Sequence, residues 1–84
     1  MKQAEIIRKL QNNFLLTITE SVICFQIYNG LTRDDILIKQ TIKEKTLKNH
    51  LSSIYKKTGI EDDPKFKRRD KFQRLTLVIV NLFK

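Results

Sequence analysis

From Ala4 to Phe14 the apolar residues Ile6, Ile7, Leu10 and Phe14 recur every three to four positions, with Lys9, Gln11 and Asn12 falling elsewhere. That spacing lays one apolar stripe along a helix and predicts an amphipathic first helix. Thr17-Ile18-Thr19-Glu20 follows, with the Thr-x-x-Glu form of a capping box: the hydroxyl accepts from one orphan backbone N–H and the carboxylate from another. A second helix is expected from there to about Asn29, closed by Gly30, whose missing Cβ suits a left-handed helix end. Thr32 then stands before Arg33, Asp34 and Asp35, a cap hydroxyl with carboxylates in the first turn, where the helix dipole favours them. This third helix is short and runs to about Lys39.

After Gln40, Thr41 and Ile42 a longer pattern begins. Leu47, Leu51, Ile54 and Tyr55 share one face, and Lys45, Lys48, Asn49, Ser52, Ser53 and Lys56 point away from it. Two helices joined by about three residues form a helix-turn-helix, whose second member can lie in a DNA major groove. Beyond Gly59 the pattern breaks twice. Glu61, Asp62 and Asp63 precede Pro64, and KFKRRDKFQR then carries six positive charges and one negative. The terminal LTLVIVNLF is rich in β-branched residues, which favour strands. Phe72, Leu75, Ile79 and Leu82 nevertheless keep helical spacing, and there is no second strand to pair with, so a last helix is expected. The fold class is therefore all-α, a small helix bundle containing a helix-turn-helix with an extra N-terminal helix and an extended C-terminal helix. Residues 1–15 form the N-terminal extension, and residues 16–84 the helix-turn-helix domain.

The chain has 84 residues, enough for one small domain. A domain of this size buries only about 60% of the surface its unfolded chain exposes, so a dimer would help it. Lysine and arginine total 17 against 9 acidic residues, a formal charge of +8. Such a field attracts polyanions, and charge alone does not choose between nucleic acid and an anionic membrane. The single cysteine, Cys24, and single histidine, His50, lie in different segments. They offer neither a disulfide nor four zinc ligands, so no metal or cofactor is expected and a reducing cytoplasm fits. The N-terminal MKQAEIIRKLQNNF lacks the apolar core of a secretory signal. The run Leu77–Val80 is far short of the roughly 20 residues needed to span a bilayer, so no membrane partner is expected. Catalysis finds no support. Paired carboxylates occur only at Asp34-Asp35 and Asp62-Asp63, no nucleophile-base grouping can be drawn, and two glycines do not make a phosphate-cradling loop.

A longer register runs through residues 16–60. Leu16, Thr17 and Glu20 are followed ten residues on by Gly30, then by Ile36, Ile42, Thr46, Leu47, Lys48 and His50, and finally by Ile54, Lys57, Gly59 and Ile60. This series resembles the LuxR/GerE-type helix-turn-helix domain of bacterial transcription regulators, and it needs no gap across 45 residues. The family pattern has arginine where Thr19 stands, alanine at Leu37, leucine at Gln40 and serine at Lys43. A lysine cannot accept a hydrogen bond at a cap. Thr41-Ile42-Lys43-Glu44 is itself a capping box, so Thr41 is expected to take over that role.

The resemblance implies a sequence-specific DNA-binding regulator whose helix of about 44–57 enters the major groove of double-stranded DNA as a homodimer on an inverted repeat. Lys48, Asn49 and Ser52 would face bases: lysine can donate to guanine O6 and N7, and asparagine can pair with adenine N6 and N7. Lys45, Thr46, His50 and Lys56 would hold phosphates, as would Thr32 and Arg33 at the start of the shorter helix. The stripe Phe72, Leu75, Ile79 and Leu82, which Phe83 can extend, is either core or dimer interface, and shared use with a dimer is favoured. The basic run Lys65, Lys67, Arg68, Arg69 and Lys71 is either an auxiliary phosphate clamp or a solubilising end. The alternative is a degenerate helix-turn-helix that contacts protein, such as RNA polymerase or another regulator, and a weaker one is a peripheral membrane module built on the C-terminal helix.

Overall fold

Five helices and no strand make up residues 2–61 and 70–83, the part that this computed structural model describes. They are α1 (Gln3–Phe14), α2 (Ile18–Tyr28), α3 (Arg33–Gln40), α4 (Glu44–Thr58) and α5 (Asp70–Leu82). Most of the acidic-proline-basic stretch, including Lys65, Lys67, Arg68 and Arg69, lies outside the described residues.

Local chemistry sets most of the ends. At α2 the capping box closes in both directions: the Thr17 hydroxyl accepts from the Glu20 N–H at 3.1 Å, and the Thr17 N–H donates to the Glu20 carboxylate at 2.9 Å. At α3 the same box forms between Thr32 and Asp35, at 3.2 and 3.0 Å. α2 and α4 both end on a glycine with positive φ, Gly30 at +87° and Gly59 at +78°. In each case the next residue reaches back into the last turn, Leu31 N–H to the Gln26 carbonyl at 3.1 Å and Ile60 N–H to the Tyr55 carbonyl at 2.8 Å. That is the Schellman closure, and it requires a left-handed residue, which glycine supplies without a Cβ penalty.

The start of α4 corrects the expectation placed on Thr41. That residue is left-handed, with φ 52°, and terminates α3: its N–H and that of Ile42 donate to the carbonyls of Ile38 and Leu37, each at 3.3 Å. A residue engaged in closing one helix in the left-handed region cannot also take the extended conformation of an N-cap. The N-cap is Lys43, with φ −80° and ψ 156°, and no side chain caps the helix. α4 therefore begins at Glu44, after a connection of three residues.

One core holds all five helices. It contains Ile6 and Leu10 of α1, Ile23, Cys24 and Ile27 of α2, Ile36 of α3, Leu47, Leu51 and Ile54 of α4, and Leu75 and Ile79 of α5. α2 reads apolar nearly all round, as a helix with neighbours on several sides should, and it packs against α1, α4 and α5. α1 is part of this core, since Leu10 is fully buried in the same cluster as Leu75. Leu75 and Ile79, expected at a dimer interface, are likewise fully buried within the single chain. The physical reason is shared: three short helices leave apolar faces uncovered, and α1 and α5 cover them. α1 and α2 both reach the residue after α5, with the Tyr28 and Phe83 rings 4.9 Å apart and the Lys9 ammonium 5.2 Å from the Phe83 ring centre.

Candidate nucleic-acid interface

α4 is 15 residues long and has two unlike sides. Leu47, Leu51 and Ile54 are buried, and Lys45, Lys48, Asn49, Ser52 and Lys56 are exposed. Lys45, the adjacent pair Lys48 and Asn49, Ser52 and Lys56 follow at three- to four-residue intervals, so they form a continuous strip along about three turns. The side chains expected to face bases lie in the middle of this strip, with Lys45 and Lys56 at its ends. Thr46 is exposed on one flank, and His50 is half-buried on the same flank.

Thr32 and Arg33 are exposed at the start of α3. The capping box limits what Thr32 can offer an anion, because its N–H is already donated to Asp35 and its oxygen already accepts from the Asp35 N–H. The bond from the Thr32 N–H, and after it the Thr32 hydroxyl, lower the pKa of the Asp35 carboxyl. Arg33 keeps its guanidinium at the surface.

Besides its buried Leu47, Leu51 and Ile54, α4 is tied to the bundle by a pair of residues 37 positions apart. The Lys57 ammonium donates to Glu20 Oε1 at 2.6 Å, joining the end of α4 to the start of α2. The Glu20 side chain is only 5% exposed, and that of Lys57 33%. Burial pushes the Glu20 carboxyl upward, but hydrogen bonds from Lys57, Ser53 and Thr17, with the Lys57 charge, outweigh it and bring the pKa down to about 2. Sequence reasoning placed Glu20 at the cap and missed the ion pair. No local spacing links positions so distant in the chain.

A second feature escaped the sequence. Tyr55 is half-buried beside the exposed strip and lines an open cleft of about 380 Å³ together with Ile27, Leu31, Arg33, Phe72 and Gln73. Phe72, expected at a dimer interface, is thus a partly buried wall of this cleft, and Leu82 is partly buried against the core. Lys71 from α5 places its ammonium 5.6 Å from the centre of the Tyr55 ring, within cation–π range.

No family model, curated protein or solved structure matches the chain. Among the described residues, no helix is long and apolar enough to cross a membrane, and no group of His, Cys, Asp or Glu is placed to hold a metal ion. Cys24 is fully buried, and burial, assisted by the Glu20 charge, pushes its thiol up to about 12, so the nucleophilic thiolate is suppressed.

Proposed function

We propose that this chain binds double-stranded DNA sequence-specifically as a transcription regulator, with the exposed side of α4 in the major groove. The observation that carries the reading is the strip Lys45, Lys48, Asn49, Ser52 and Lys56, exposed along a helix whose other side is buried and which follows a three-residue turn. A helix so arranged can enter a groove without unpacking the bundle. The resemblance to LuxR/GerE domains assigns the same helix to the same task and adds a homodimer on an inverted repeat. With Leu75 and Ile79 in the core, a mate would sit on the outer side of α5, where Leu77 is 63% exposed.

The test is binding to duplexes enriched from a random pool. A palindromic consensus is expected, with affinity falling by a factor on the order of 10³ between 50 and 200 mM salt if about six phosphates are contacted. Lys48→Ala and Asn49→Ala should relax base preference, whereas Lys56→Ala should weaken all sequences alike. A flat salt response, or equal losses from all three substitutions, would defeat the reading.

A second reading has its own support in Ile38, 77% exposed on α3, and in Leu15 and Ile18, 82% and 70% exposed around the α1–α2 corner. Large apolar side chains at the surface suit protein contacts, so a module that docks on RNA polymerase or another regulator is the alternative. Absence of any enriched duplex would favour it.

A further inference from the structure

Two cations from different helices, Arg33 of α3 and Lys71 of α5, each approach Tyr55 of α4 beside the exposed strip. Tyr55 lies three residues after Ser52 and one before Lys56, on the side of α4 that looks toward α3 and α5. Lys71 holds its ammonium 5.6 Å from the Tyr55 ring centre. Arg33 lines the same cleft as Tyr55, and it shares a helical face with Ile36, Leu37 and Gln40, all buried or half-buried, which turns it toward α4 and α5. Asp34 and Asp35 occupy the outer side of that turn, and Asp35 is tied into the cap.

We infer that Arg33, Tyr55 and Lys71 form a seat for one backbone phosphate of the bound duplex, at the mouth of the cleft between the start of α3 and α5. The inference rests on the DNA-binding reading and extends it to α5, a helix outside the helix-turn-helix itself. Two cations flank the position, and the phenol O–H is a third donor. Burial raises the pKa of that phenol, against the opposing pull of Arg33, so it stays protonated at neutral pH. The first helix of a helix-turn-helix crosses the DNA backbone, which brings the start of α3 to the phosphates. The ring's π face is one of the contacts that hold Lys71, so the lysine arrives with less of its conformational freedom left to lose.

The experiment is fluorescence anisotropy on the full chain with an enriched duplex, from 50 to 200 mM salt. Lys71→Gln and Arg33→Gln should each lower the logarithmic salt slope by about 0.9, so that the loss of affinity across this range shrinks by about 3.5-fold, with base preference unchanged. Tyr55→Phe, which keeps the ring and the core, should weaken binding without lowering the slope. Lys39→Gln, an exposed charge elsewhere on α3, should leave the slope within error. A Lys71→Gln slope equal to wild type, or a Lys39→Gln slope lowered as much, overturns the seat while leaving the DNA reading intact. Failure of the wild-type chain to bind any duplex overturns both.

Discussion

Glu20 accepts hydrogen bonds from the Thr17 N–H that it helps to cap and from the Lys57 ammonium at the far end of α4. The carboxylate is buried and fully engaged, so its charge is worth more to the folded state than to the unfolded one. The unfolded chain takes up this proton near the ordinary pKa of 4.5, and the folded chain only near 2. Between those values the unfolded state binds more protons, so stability rises with pH across the window. The contribution is complete above about pH 5, where it is on the order of 3 kcal/mol, and it is lost as the pH falls toward 2. Urea melts at pH 6, 4 and 2.5 should show this decline, and Glu20→Gln should start less stable and lose less on acidification. An unchanged acid slope in Glu20→Gln would count against the pairing. In the sequence, the i to i+3 relation of Thr17 and Glu20 is legible because it is local, but the partner 37 residues away depends on how α4 docks.

At the level of helices, the least secured end is the start of α4. Lys43 occupies the N-cap without a capping side chain, and its positive charge sits at the positive end of the helix dipole. Lys43→Ser should therefore stabilise the chain by about 1 kcal/mol, raising its melting temperature by about 4–8 °C. Calorimetry settles this, and an unchanged or lower melting temperature would show that the helix start is satisfied in another way. The helix spans themselves were readable, because 3.6-residue periodicity and glycine stops act locally: α4 was expected over about 44–57 and runs Glu44–Thr58. The Thr41 box was misread for a local reason too. Thr-x-x-Glu marks a cap only where the threonine is extended, and here α3 continues to Gln40 and leaves Thr41 in the left-handed region. Sequence could name the residues of the exposed strip, since the apolar side of α4 defines its opposite. It could not bring Arg33 and Lys71 to Tyr55, because those approaches depend on the angles at which α3 and α5 cross α4.

Across the whole molecule, stability depends on helices outside residues 16–60. Leu10 of α1 and Ile79 of α5 are fully buried in the same cluster as Leu47. Leu10→Ala should cost about 2–5 kcal/mol, a large share of the roughly 5–15 kcal/mol that holds a domain together. A denaturation midpoint within error of wild type would return α1 to the status of an appendage. That experiment has an internal reporter. Cys24 is the chain's single cysteine, fully buried in the middle of α2, with its thiol held up to about 12. A thiol reagent can reach it only when the core opens, so its rate of modification counts openings rather than surface encounters. The chain thus carries its own clock for the breathing of its core, with no competing thiol to blur the reading.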